Sequence, residues 1–336
     1  MYPIFKLKDI AAEAGVSTMT VSNVINGKYS KVSKKNIEKI QKIIEKYNYV
    51  PNSAARSLSS KSSKIIAIFL PSGDFDNPHN IQALNSITNI VKMRGYFLMI
   101  FTYVNREEIY ANLRTWNVDG VICFAPLTRQ DFELFEQIGI PTCLIDSYFK
   151  SPSMIHVGVE DYRGGYLAAN YLAKCGHTQI GFASYHTSYD KILQNRLKGF
   201  QDACNQNGLT LQEENIFVAD TNYKGGIEVA NQIADHGLKV TAVFATEDEM
   251  AIGIIEGARL NGIDVPNQLS VIGFDNTPLC EYVTPKLTTI AQDIAQKGEI
   301  AAQRLIDLIE NGSVTEPYTK IPVRIIERQS VINIKK

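Results

Sequence analysis

The sequence predicts a small all-α head followed by a large α/β body of two doubly wound halves, and three observations support this. Up to about Asn52 the apolar residues recur at helical spacing, and no strand signal interrupts them. From Lys64 onward, short β-rich runs alternate with helix-length amphipathic stretches, the pattern of βαβ units on parallel sheets. The charge divides at the same place. Residues 1 to 64 hold 12 Lys and Arg against 4 Asp and Glu, so an overall charge of −1 separates into +8 and −9. A basic head on an acidic body is what a nucleic-acid contact confined to one end requires, because phosphate neutralisation supplies most nonspecific affinity.

Within the head, Lys8 to Ala14 reads as a short helix, Gly15-Val16-Ser17 as a turn and Ser17 to Asn26 as a second helix with Ser17 as its N-cap. Ala11, Gly15 and Val21 fall where a helix-turn-helix needs a small residue, a turn glycine and an apolar seat. A third helix is expected from Ser33 to about Tyr47, with Ile37, Ile40 and Ile44 on one face. The serine-rich stretch Ser53 to Ser63 reads as a linker that becomes helical only when held.

In the body the expected strands are Ile65 to Leu70, Tyr96 to Phe101, Val121 to Phe124 and Thr142 to Ile145, then Ile180 to Ala183, Ile216 to Ala219, Ala242 to Ala245 and Val271 to Phe274. Two successive series of four, separated by a loop near Ser147 to Met154, imply two similar subdomains. The natural binding site is the cleft between them, at strand C-terminal ends.

A chain of 336 residues exceeds what one core organises, so more than one domain is expected. The longest apolar runs are strand-sized, far below the roughly 18 residues of a membrane span. The start Met1-Tyr2-Pro3-Ile4-Phe5-Lys6 has no features of a secretory signal, so a cytoplasmic location without membrane contact is expected. Cys123, Cys143, Cys175, Cys204 and Cys280 are odd in number, scattered and never in a C-x-x-C pair, as reduced and mostly buried thiols would be. No metal site and no cofactor are expected. Enzyme signatures are missing: the sequence contains no G-x-G-x-x-G, Walker loop or G-x-S-x-G, and Gly164-Gly165 and Gly225-Gly226 read as helix-start packing or turn glycines. Asp146, Glu247 and Asp275 have the chemistry for acid/base work, but no nucleophile accompanies them and hydroxyl binding needs the same groups.

Lys8-Asp9-Ile10-Ala11-Ala12-Glu13-Ala14-Gly15-Val16-Ser17, then Thr20-Val21-Ser22-Asn23-Val24-Ile25-Asn26-Gly27, resembles the head of the LacI/GalR repressors, and Tyr49-Val50-Pro51-Asn52 and Ala55-Arg56-Ser57-Leu58 continue the likeness. It extends to about Val331 through Val118-Asp119-Gly120, Gly164-Gly165-Tyr166, Gly176-His177-Thr178, Arg196-Leu197-Lys198-Gly199, Asp248-Glu249-Met250-Ala251 and Gly273-Phe274-Asp275. The resemblance implies a sequence-specific transcriptional regulator, a repressor of carbohydrate-utilisation genes. Its helix-turn-helix DNA-binding head (1–52) and hinge (53–63) would precede a periplasmic-binding-protein-like α/β effector domain (64–336). Chain crossovers would give an N-subdomain of about 64–161 plus 292–325 and a C-subdomain of about 162–291 plus 326–336.

By the same resemblance, Ser17, Thr18, Met19, Thr20, Asn23, Asn26, Tyr49, Asn52, Ala55 and Arg56 meet a palindromic operator, and Leu58 wedges into its minor groove. Asn23 stands where arginine is common, which exchanges a guanine preference for an adenine preference. Asp146, Arg196, Glu247, Asp275 and Gln292 match positions that hold the effector. Carboxylates accepting hydroxyl protons, an arginine fork and a flat apolar wall suit a sugar. Glu247 in place of the usual asparagine, Ser147, His79-Asn80 and Thr221 make the pocket polar and acidic. Such a pocket suits a neutral polyol, or one carrying an amine, better than a purine or a phosphosugar. Tyr148, Tyr185, Tyr189 and Tyr223 are candidates for the wall. Two heads are needed for a palindrome, and the chain stops at Ile332-Asn333-Ile334-Lys335-Lys336 without a leucine-heptad helix. A homodimer rather than a tetramer is therefore expected.

Overall fold

The computed structural model describes residues 5–25, 27–49, 62–71, 76–103, 106–124, 128–149, 151–186 and 191–335. The chain divides into two compact units, 1–64 and 65–336. In the first, α1 (Leu7–Ala14), α2 (Thr18–Ile25) and α3 (Lys34–Lys46) enclose a core of Ile10, Ala11, Val21, Val24, Ile40 and Ile43. Gly15 closes α1 at φ 68°, a conformation that costs glycine nothing, and so permits the tight reversal into α2. The Ser17 hydroxyl accepts the Thr20 N–H at 3.1 Å, satisfying one of the orphan donors at the start of α2. Ile37 and Ile44 pack against the core only in part, and Ile43 takes the deeper position on α3.

The second unit holds two six-stranded sheets. The first, in spatial order β11-β5-β4-β3-β1-β2, contains β1 (Ile65–Pro71), β2 (Phe97–Tyr103), β3 (Gly120–Phe124), β4 (Thr142–Ile145), β5 (Ile155–Val159) and β11 (Tyr318–Ile321). The second, in order β12-β10-β9-β8-β6-β7, contains β6 (Ile180–Ser184), β7 (Ile216–Val218), β8 (Ala242–Ala245), β9 (Ser270–Asp275), β10 (Thr288–Ala291) and β12 (Arg324–Ile326). Omitting the last strand of each, both orders are 2-1-3-4-5, so the halves repeat one topology. All eight expected strands are present. The four unexpected ones have weak signals: β5 alternates Val with His and Gly, β10 opens on two threonines, and β11 and β12 are short, half-exposed edges.

Burial on both faces explains the parallel pairing. Ile66, Ile68 and Leu70 of β1 enter one core, while Ala67 and Phe69 enter the core on the opposite face. The first of these cores runs on into the second sheet through Phe182, Phe244, Ile272 and Phe274. In the first half the covering helices are α4 (Pro78–Met93), α5 (Arg106–Trp116) and α6 (Arg129–Ile138). In the second they are α7 (Asp161–Lys174), α8 (Lys191–Gln206), α9 (Tyr223–Asp235) and α10 (Asp248–Leu260). The chain changes sheets after Val159, after Ala291 and after Ile321. As a result α11 (Ile294–Asn311) packs on β3, β4, β5 and α4 of the first half, although it follows a strand of the second.

Helices α7 and α8 cross with their backbones almost touching. A Cβ at Gly165 would lie 1.9 Å from the Arg196 carbonyl oxygen, and one at Gly199 would lie 1.9 Å from that of Tyr162. The expected role of Gly164-Gly165 in helix-start packing is thus observed. Backbone atoms cannot yield as a side-chain tip can, so Gly165→Ala should lower stability by about 1–3 kcal/mol or more. Urea unfolding of the variant at wild-type midpoint would contradict this packing.

Candidate functional site

On the head, α2 turns Val21 and Val24 inward and leaves Ser17, Thr18 and Met19 exposed, Met19 by 69%. Thr20 and Asn23 are partly exposed on the same short helix. An apolar residue so open at the start of a helix has no folding role there, which leaves this surface free to meet another molecule. Tyr49 packs part of its ring against the head core. Asn26, Asn52, Ala55, Arg56 and Leu58 lie outside the described residues.

In the body, a cleft of about 1310 Å³ opens between the two halves. Asp146, Arg196, Glu247, Asp275 and Gln292 all line it. Topology brings them together: Asp146 follows β4, Glu247 follows β8, Asp275 ends β9 and Gln292 follows β10, while Arg196 rises one turn into α8. Asp146 and Asp275 occupy equivalent places in the repeated halves, and both have left-handed backbones, at φ 53° and 114°. Non-glycine residues tolerate that region poorly, and such conformations concentrate where a side chain must be aimed.

Each half anchors an ion pair at the cleft. In the second, Arg196 Nε donates to Asp161 Oδ1 at 2.9 Å, its Nη1 donates to the Thr246 carbonyl at 2.6 Å, and its guanidinium lies 3.5 Å from the Phe274 ring centroid. The Tyr148 hydroxyl donates to the other Asp161 oxygen at 2.6 Å. In the first half, the ammonium of Lys297 is fully buried and donates to Asp146 Oδ2 at 2.5 Å. Burial raises the Asp161 carboxyl above its usual range against the pull of Arg196. At Asp146 burial acts upward too, but the charge of Lys297 holds the group below its usual range.

Among the described residues Asp275 has no ion-pair partner. It accepts the Gln292 amide N–H, and burial pushes it up to about 6, with Asp248 close behind it also at about 6. Asp248 takes hydrogen bonds from the Thr289 hydroxyl at 2.5 Å and the Thr277 N–H at 2.7 Å, and so belongs to the wall rather than the opening. Among the described lining residues six carboxylates face two cations, Arg196 and Lys224. Phe124, Leu193, Ile252, Leu279 and Tyr282 supply apolar surface. Tyr185, Thr221 and Tyr223 also line the cleft. Tyr148 is turned to Asp161, and Tyr189 lies outside the described residues.

Sequence reasoning missed Lys297, Asp161 and the part played by His79. Lys297 had a signal. It stands at helical spacing with Ile294, Ala301 and Leu305, the buried stripe of α11, where a lysine requires a buried partner. Among the described residues no group of three or more His, Cys, Asp and Glu could hold a metal ion, and no helix is long and apolar enough to cross a membrane. The five cysteines are buried free thiols.

Residues 6–52 match the model of the bacterial regulatory proteins of the lacI family, and residues 169–331 match that of the periplasmic binding protein-like domain. Catabolite control protein A of Priestia megaterium is 30% identical over 327 residues, covering 96% of this chain and 98% of its own. The Lac repressor dimer bound to operator and the anti-inducer ONPF is 26% identical with a TM-score of 0.87, over 98% of this chain and 99% of its own. A LacI family regulator from Enterococcus faecalis with bound ribose is 30% identical with a TM-score of 0.71, over 81% of this chain and all of its own. With the helix-turn-helix head, the repeated α/β halves and the polar cleft in place, these likenesses settle the family: the chain belongs to the LacI family of DNA-binding transcriptional regulators.

Proposed function

We propose that the protein is a cytoplasmic repressor of carbohydrate-utilisation genes that binds a palindromic operator as a homodimer and is controlled by a small neutral sugar in the cleft. The observation that carries this reading is the convergence of Asp146, Arg196, Glu247, Asp275 and Gln292 from both halves on one polar cleft with an apolar wall. Ligands that bridge the halves favour one angle between them, and only such a differential interaction shifts an equilibrium between states. Ribose is bound by the Enterococcus faecalis relative, and operator DNA by the Lac repressor dimer. Thr18, Met19 and Asn23 would read base edges, and Leu58 would act in the minor groove.

The sugar is bound and released unchanged, since among the described residues the cleft offers acceptors and donors but no activated nucleophile. A melting-temperature screen of the purified protein with sugars, followed by gel shifts on the promoter of its own gene, tests the reading. One or more sugars should raise the melting temperature and change operator affinity, and be recovered intact. Shifts confined to purines, or an operator affinity that no bound sugar alters, would refute it.

A further inference from the structure

The cleft floor contains a cation that the repeated architecture does not explain. Lys297 is fully buried, and its ammonium reaches three acceptors: Asp146 Oδ2 at 2.5 Å, Gln292 Oε1 at 2.7 Å and His79 Nε2 at 2.8 Å. An ammonium has three hydrogens and no lone pair, so all of its donors are committed and each partner atom must accept. The consequences propagate to each partner. His79 holds its proton on Nδ1, facing Asn80 Oδ1 at 3.1 Å. Gln292 turns its carbonyl to the lysine and thereby its amide nitrogen to Asp275, across the change of sheets. Asp146 keeps its charge inside the protein because the cation is in contact with it.

We propose that Lys297 is a positioning residue for the effector: without touching the ligand, it fixes Asp146, Gln292 and His79 in one donor–acceptor pattern, so that the cleft floor takes a neutral hydroxyl and rejects an anionic group. A lysine and a histidine beside a cleft suggest an anion site at first sight. Here neither has a hydrogen to offer, and the carboxylate of Asp146 repels an incoming phosphate or carboxylate. The assignment rests on the sugar reading of the cleft.

The charged groups around His79 and Asp146 are Lys297 from α11, Arg196 from α8, Asp161 from α7 and Asp275 from β9. Burial and then the Lys297 charge hold His79 below its ordinary range. Asp146 Oδ2 lies 3.8 Å from His79 Nε2, so removing the lysine leaves the carboxylate with the imidazole as its nearest base.

The test uses the full chain with ¹⁵N-labelled histidine, His79 being assigned with His79→Gln, and long-range ¹H–¹⁵N spectra between pH 5.5 and 8. Wild-type His79 should show the neutral Nδ1–H form without titrating. In Lys297→Met it should take up a proton, binding it at least tenfold more tightly, and in Lys297→Met with Asp146→Asn the titration should vanish again. Wild-type His79 that carries the proton on Nε2 or titrates near 6.5 would overturn the assignment, even if the variants fail to fold, as would a Lys297→Met spectrum unchanged at His79. In calorimetry, D-ribose or cellobiose should bind the wild type, with D-ribose 5-phosphate at least tenfold weaker, and Lys297→Met should lose at least tenfold for the sugar at pH 7.5. Tighter binding of the phosphate would overturn the claimed selectivity. Silence from every sugar would tell against the sugar reading itself, with the histidine spectra still deciding what Lys297 does.

Discussion

Arg196→Ala is expected to cost the folded protein about 3–5 kcal/mol as well as its response to effector, because it strands a buried charge. Asp161 is 4% exposed at its side chain, and its only ion-pair partner among the described residues is Arg196. Truncation also removes the donor to the Thr246 carbonyl and the cation over the Phe274 ring. The loss should depend on pH in a defined direction. Asp161 already has a raised pKa when folded, and without the arginine it rises further. Its contribution is therefore intact at low pH and lost as pH climbs through the folded value, so the variant should be closest to wild type in acid. Arg196→Met with Asp161→Asn removes both charges together and should recover most of the stability while leaving the cleft without its guanidinium. Urea unfolding at pH 4.5 and 7.5 measures the first effect, and calorimetry with the sugar found by screening measures the second. If the double variant binds that sugar as the wild type does, Arg196 serves only to hold α7 and α8 together.

Asp275→Asn should act in opposite directions on stability and on binding. Asp275 is 6% exposed and burial pushes its pKa up to about 6, so ionising it at neutral pH works against folding. A group raised in the folded state contributes stability below its unfolded pKa and loses it as pH rises through the folded one. The window here runs from about 4 to about 6. Asparagine has no charge to bury and still offers an oxygen to Gln292. The variant should therefore gain roughly 2 kcal/mol at pH 7.5 and nothing near pH 4, since a tenfold change in an acid dissociation constant is worth about 1.4 kcal/mol. Effector affinity should fall about ten- to a hundredfold, the worth of a charged acceptor against a neutral one. Unfolding and calorimetry on one preparation decide it. A variant that is both less stable and fully able to bind would contradict the placement of Asp275 as a buried carboxylate that receives the effector.

Much of this architecture is legible in the sequence because it is periodic. The eight strands rich in Ile, Val and Phe stand out against their helices, and Ala11, Gly15 and Val21 mark the turn of the head. Strands β11 and β12 escaped because Tyr-Thr-Lys-Ile and Arg-Ile-Ile sit at sheet edges, where one face needs no apolar residue. The five cleft residues were legible through resemblance, aided by their places after strands. What supports them was not, because a partnership such as Lys297 with Asp146 spans 151 positions and exists only where α11 returns to the first sheet. Asp161 hid for the opposite reason: a carboxylate at a helix start has an ordinary explanation in the helix dipole, and its reach to Arg196 is set by glycines on neighbouring turns.

The near contact of α7 and α8 at Gly165 and Gly199 also bears on how a signal leaves the cleft. Two helices separated by side chains can absorb a pull by changing rotamers, as a spring absorbs load. Two helices in backbone contact have no such slack. A ligand drawing on Arg196 would therefore pull on α8 and, through the Arg196 carbonyl pressed against Gly165, on α7 as well. Helix α7 begins directly after the first change of sheets, at Asp161, so such a displacement would reach the crossover between the halves with its amplitude intact. The gearing is stiff because a hydrogen atom stands where any other residue would place a carbon.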